Sequence, residues 1–184
     1  MTELSLHVLD IAENSARAGA SLISILIDTN VQTDRLTIRI EDNGHGMTKE
    51  ELKRVTDPFY TSRTTRKVGL GIPLFQYAAE STGGIFSICS EKNHGTTVQA
   101  EFILSHIDRM PLGDITATMQ TLILCHPEID FYYLYRYNDK EFSLDTREMR
   151  TLLGDISFRE PEISSFLREY LTENKLETDN GAIY

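Results

Sequence analysis

Between Leu4 and Ala18 the apolar and polar positions recur with helical spacing. At about 100° per residue, Val8, Ile11, Ala12 and Ser15 fall on one side and Asp10, Asn14 and Arg17 on the other. The side that solvent should cover thus carries an unusual polar trio. Gly19 ends this helix. The run from Leu22 to Ile27 predicts a buried strand, and Leu36, Ile38 and Ile40, alternating with Thr37, Arg39 and Glu41, predict a second that pairs with it antiparallel.

The second strand runs straight into Asp42, Asn43, Gly44, His45, Gly46 and Met47, so a loop must pivot at the end of a strand. Thr48 and Glu51 have the spacing of a capping box opening a short helix that stops near Asp57 and Pro58. Residues 61–69 are polar and basic with almost no apolar anchor, which reads as a mobile segment. A helix from Ile72 to about Ser81 follows, with Pro73 in its first turn. Two strands, Gly84 to Ser90 and Thr96 to Leu104, are joined by a turn from Lys92 to Gly95.

Past residue 105 the spacing predicts a helix from Asp114 to His126 stopped by Pro127, then a tyrosine-rich strand pair from Phe131 to Leu144 turning at Asn138 and Asp139. Two helical segments close the chain. The last, after Pro161, places Ile163, Phe166, Leu167 and Tyr170 or Leu171 in one stripe, and the final six or seven residues are expected to fray. Tyr132, Tyr133, Tyr135 and Tyr137 read as strand packing with a partly exposed face.

A chain of 184 residues with 40% hydrophobic content can build one core with at most a small appendage. Its formal net charge is −10, and residues 105–184, with 15 acidic and 8 basic side chains, contribute most of the excess. That balance argues against nucleic acid or an anionic membrane surface as a partner, so any phosphate must be bound locally. No run of about eighteen apolar residues occurs, and the amino terminus lacks the basic flank of a signal peptide, so the expected location is the cytoplasm. Cys89 and Cys125 lie in apolar stretches without metal-ligand or redox spacing and are expected to be buried thiols.

Phosphate binding needs close-approaching backbone N–H groups, a helix N-terminus, a cation and an oxygen ligand for magnesium. Lys67, Val68, Gly69, Leu70 and Gly71 form a glycine loop opening onto a helix, and Arg63, Arg66 and Lys67 gather positive charge in an acidic protein. Asp42 ends a strand beside the glycine pair Gly44 and Gly46, where a carboxylate could accept a hydrogen bond from an exocyclic amine such as that of adenine. A calcium loop does not fit, because Met47, Thr48 and Lys49 supply no further run of ligating oxygens.

These residues resemble a family in their order. Asp10 to Ala20, with Asn14 at its centre, resembles the N box of the GHKL (histidine-kinase-like, gyrase and MutL) ATPases, and its ENSxxAGA stretch is similar to that of MutL-type proteins. Asp42 to Met47 resembles the first glycine box. Asp57 to Arg63 resembles the F box, and Gly69 to Gly71 the second glycine box, of sensor histidine kinases. Gly95, Thr96 and Thr97 stand where the family's closing GT pair would be.

The resemblance spans about Leu6 to Phe102. It implies an α/β (α+β) two-layer sandwich of the Bergerat type, a mixed, mostly antiparallel sheet backed by helices, with a small carboxyl-terminal α/β extension. Residues 1–104 would form the ATP-binding domain and 105–184 an extension packed on it. By the same resemblance Asn14 would hold Mg²⁺, Arg17 would contact phosphates and Asp42 would take the adenine amine. Gly44, Gly46, Gly69, Leu70 and Gly71 would shape the ATP pocket, with Thr61, Lys67 and Thr96 as further contacts and a short lid like that of the kinase branch.

Asp10 departs from the pattern, because hydrolysing members usually carry Glu there and phosphotransferring histidine kinases usually carry Asn. An Asp could still activate water, making Asp10 the candidate catalytic residue, or it could pair with Arg17 or face solvent. The N box starts too near Met1 for a preceding phosphoacceptor hairpin, so self-phosphorylation is not expected. His7, His45, His94, His106 and His126 read as surface or capping residues. Three functions stay open: a slow ATPase or ATP-gated switch acting on a protein partner through residues 105–184, a kinase for a separate protein, and a non-catalytic ATP-binding module.

Overall fold

The computed structural model describes residues 3–55 and 71–184. The amino-terminal helix α1 spans Leu4–Arg17 and is followed by β1 (Leu22–Asn30) and β2 (Arg35–Asp42). After the short α2 (Lys49–Arg54) come α3 (Gly71–Glu80), β3 (Ile85–Glu91) and β4 (Gly95–Ile103). The remainder contributes α4 (Ile115–Cys125), β5 (Asp130–Tyr137), β6 (Lys140–Asp145), α5 (Thr146–Leu153) and α6 (Pro161–Asp179).

Local chemistry accounts for most of these boundaries. The Thr48 side chain accepts from the Glu51 amide while the Glu51 carboxylate accepts from the Thr48 amide, completing the capping box that starts α2. Asp114 caps α4 through a 2.9 Å bond from the Ala117 amide, and Asp145 caps α5 through one from Arg147. Asn138, at φ 52°, turns the β5–β6 hairpin in the left-handed conformation that asparagine tolerates.

The described strands form one sheet in the order β3-β4-β2-β1-β5-β6. Neighbours pair antiparallel except β1 and β5, which run parallel from Leu22↔Asp130 to Thr29↔Tyr137. This is the mixed, mostly antiparallel sheet expected, and the helices cover one face of it. Period-two alternation sends Ile23, Ile25, Ile27, Leu36, Ile38, Ile40, Val98, Ala100, Phe102, Phe131, Tyr133 and Tyr135 into the core, where they meet Leu4, Val8, Ile11, Phe75, Ile115, Met119, Leu122, Leu167 and Leu171 from the helices. The carboxyl-terminal residues therefore extend the sheet at β1 and the helical layer beside α1, since α1 packs on α3 and α4, and α4 on α6.

Four expectations are corrected. Cys89 and Cys125 are exposed free thiols. Cys89 shares the solvent-facing row of β3 with Ile85, Ser87 and Glu91, and Cys125 is the last residue of α4, beyond the buried Leu122 and Ile123. Phe166 leaves the core stripe of α6 and is exposed, its ring tilted against that of Tyr170 at 6.2 Å, while Leu167 and Leu171 are buried. The chain end does not fray: α6 continues to Asp179, the Tyr184 carbonyl accepts from Leu112, and the Tyr184 ring stacks on Tyr137. His7 lies in the core with 1% exposure, because it falls on the buried side of α1 near Val8 and Ile11. The tyrosines of β5 form no exposed ladder, since Tyr133 and Tyr135 are fully buried.

Candidate functional site

The polar trio of α1 and the loop after β2 converge where α1 meets the start of α3. Asp42, the last residue of β2, is only 8% exposed. Its Oδ2 accepts a 2.6 Å hydrogen bond from Ser15 Oγ, and its Oδ1 accepts a 2.9 Å bond from the Gly44 amide. Both donors are neutral. The carboxylate is thus fixed in orientation while keeping lone pairs for a further donor.

The loop that follows is pinned on two sides. Asn43 Oδ1 accepts from the amides of Ser21 and Leu22, and the His45 amide donates to the Ala18 carbonyl, tying the loop to the end of α1. On the other side the Asn93 amide donates to the His45 carbonyl, and the Met47 amide to Ser90 Oγ. Ser90 Oγ also bonds Thr96 Oγ1 at 2.9 Å, which places Thr96 in this support. Gly46 has φ 60° and passes so close to the Glu91 carbonyl that a Cβ would overlap it, so both conformation and contact require glycine.

The opposite wall is α1 against α3. A Cβ on Gly71 would overlap Oδ2 of Asp10 and lie 3.6 Å from Nδ2 of Asn14. The glycine that opens α3 therefore lets these two side chains sit against a helix N-terminus, where the positive end of the helix dipole favours negative charge. Arg17 donates from Nη1 to Asn14 Oδ1 at 2.8 Å and lies 3.6 Å from Glu13. It pairs with Glu13 rather than Asp10, because i and i+4 face each other on a helix.

Asp10, Asn14, Arg17, Asp42, Gly44, Gly46, Gly71 and Thr96 are thus placed around one junction of α1, the β2 end, α3 and β4. Thr61, Lys67, Gly69 and Leu70, with Arg63, Arg66 and the F-box segment, lie outside the described residues. Ser15 escaped sequence reasoning as a site residue, since its helical position assigns it to the apolar face. Burial of that face is what lets its hydroxyl reach Asp42. Glu13 and His126, whose side chains meet at 2.8 Å, were also missed, for their contact spans most of the chain.

Beneath Asp10, the His7 ring lies 5.5 Å from that of Phe75, and neither ring nitrogen has a hydrogen-bond partner among the described residues. Burial pushes its pKa down to about 4, an effect the Asp10 carboxylate only partly opposes.

Residues 2–106 match the profile of the histidine kinase-, DNA gyrase B- and HSP90-like ATPases, and the chain belongs to this family. Sporulation kinase B of Bacillus subtilis is 33% identical over 100 residues, covering 53% of this chain and 23% of the relative. The cell-division control histidine kinase PdhS of Brucella anthropi is 29% identical over 108 residues, covering 51% of this chain and 10% of the relative. The chain thus spans about a quarter or less of the length of these relatives. The Aquifex aeolicus MutL ATPase domain, solved with ADP, shares the fold at a TM-score of 0.52 and 12% identity, covering 97% of this chain and 70% of that one. Among the described residues, no helix is long and apolar enough to cross a membrane.

Proposed function

We propose that the chain binds Mg-ATP at the junction of α1, the β2 end and α3, and acts as a slow ATPase or an ATP-gated switch. The observation that carries this reading is Asp42, a buried carboxylate held by Ser15 and Gly44 with no cationic partner among the described residues. A neutral amine donor such as that of adenine is the chemistry such an acceptor takes, since burying it unused would cost free energy. The identity of the family supports the same assignment.

Asn14 and Asp10 would face the phosphates from α1. Asn14 offers one amide oxygen, which suits magnesium held by a few protein ligands and substrate phosphates rather than by a protein cage. Bound magnesium would neutralise charge on the phosphates. Arg17 would transfer its guanidinium from Asn14 to two phosphate oxygens, a bidentate geometry it favours. Asp10, lodged against Gly71, would take a proton from an attacking water, its short side chain working through an intervening molecule.

A second reading, a kinase acting on a separate protein, is favoured by the sporulation and cell-division kinases among the relatives. Calorimetric titration of ATP and ADP with and without Mg²⁺, then phosphate release over hours, tests both. Micromolar, magnesium-dependent binding is expected. Phosphate release without a partner would favour the ATPase, and binding without release the switch or the kinase. Absence of binding would overturn the proposal.

A further inference from the structure

The contact between His126 and Glu13 joins a residue from outside the family match to the phosphate side of the candidate site. His126 caps α4, and its Nε2 lies 2.8 Å from Glu13 Oε1 on α1. The other oxygen of Glu13 faces Arg17 at 3.6 Å, and Arg17 in turn donates to Asn14 Oδ1 at 2.8 Å. A continuous polar chain therefore runs from the carboxyl-terminal region to the side chains assigned to magnesium and phosphate.

The histidine end of this chain is rigidly built. His126 is 19% exposed in its side chain and flanked by a second carboxylate, Glu128, 3.6 Å from Nδ1. The backbone around it is clamped by two arginines. Arg159 donates to the Leu124 and Cys125 carbonyls, and Arg150 donates to those of Pro127 and Ile129 while pairing with Asp130 at 2.9 Å. Glu13, by contrast, lies on the outer side of α1, where an unanchored glutamate would sample several rotamers.

We propose that His126 and Glu13 are positioning residues for nucleotide binding: His126 fixes the Glu13 carboxylate, which holds the Arg17 guanidinium at the phosphate edge beside Asn14. Arg17 is half exposed, so without this restraint it would have to be ordered by the ligand itself, at the ligand's expense in affinity. The inference rests on the ATP-site reading above. It also assigns the carboxyl-terminal region a part in the site, through α4 and the loop that precedes β5.

The test is titration of Mg-ATP into wild type, His126→Ala, His126→Gln, Arg17→Ala and the His126→Ala/Arg17→Ala pair, with adenosine binding followed in parallel by ligand-detected NMR. Loss of one partly buried hydrogen bond should weaken Mg-ATP binding of His126→Ala about fivefold. Adenosine, which lacks phosphates, should bind as to wild type, and this also reports that the fold is intact. His126→Gln, whose amide still donates, should restore most of the loss, and the paired variant should bind no worse than Arg17→Ala.

Unchanged or tighter Mg-ATP binding by His126→Ala overturns the proposal. So does equal weakening for ATP and adenosine, failure of glutamine to restore binding, or additivity with Arg17→Ala. If wild type itself fails to bind Mg-ATP, the site assignment falls and takes this inference with it, an outcome distinct from loss of the relay alone.

Discussion

Two buried carboxylates stand at opposite sides of the β1 strand, and their surroundings differ in one respect. Asp179, at the end of α6, receives the Tyr135 hydroxyl at 2.7 Å, the Gly181 amide at 2.9 Å and the Lys175 ammonium at 2.6 Å. Its charge is matched locally and its side chain has no exposure. Among the described residues, Asp42 receives the Ser15 hydroxyl and the Gly44 amide and no cation. A carboxylate closed by a cation is a clamp that secures α6 to β5. One held by two neutral donors retains the capacity to take another donor from outside, at a cost in desolvation that folding alone does not repay.

The sharpest way to break this contrast is to neutralise each acid in turn. Asp42→Asn should lower ATP affinity at least about 100-fold, since an amide can present its NH₂ where the acceptor is needed, while the denaturation midpoint stays near wild type. Asp179→Ala should do the reverse, costing about 3 kcal/mol of stability by stranding Lys175 and Tyr135, with ATP affinity unaltered. Calorimetry and urea titration on both variants decide it; undiminished ATP affinity in Asp42→Asn would sink the site assignment.

Asn14→Ala should leave residual nucleotide binding but abolish the advantage that Mg²⁺ confers, about tenfold, which titration with and without the ion would measure.

The pH dependence of stability bears on the ground beneath the site. The folded pKa of His7, about 4, lies below its ordinary value of 6.5, so the fold favours the neutral ring. Its contribution is complete above pH 6.5 and is lost as pH falls towards 4. Between pH 7 and 5 the wild type should lose about 2 kcal/mol more than His7→Leu in chemical denaturation. The smallest effect is expected for Ser15→Ala, about 1 kcal/mol in ATP affinity, because Gly44 still orients one oxygen of Asp42.

Much of the fold was legible locally. The 3.6 spacing of α1, the alternation in β2 and β4, the capping box of Thr48 and Glu51 and the Asp114 cap all follow from near neighbours in sequence. So does the order of glycine boxes that identifies the family, and with it Asp42 and Asn14 as candidates. The fates of Cys89, Phe166 and His7 were not legible, since hydrophobicity alone does not say which row of an edge strand or which edge of a helix another element will cover.

By itself, then, the chain's sequence determined the elements, their caps, the family and the identity of the candidate ligands, because those depend on periodicity and on residues within a few positions of one another. Only the tertiary structure decided that β5 lies parallel beside β1, that Ser15 reaches Asp42, and that His126 meets Glu13. These contacts join positions far apart in the chain, and their free energy depends on burial and geometry that exist only once the sheet and its helices have closed on a common core.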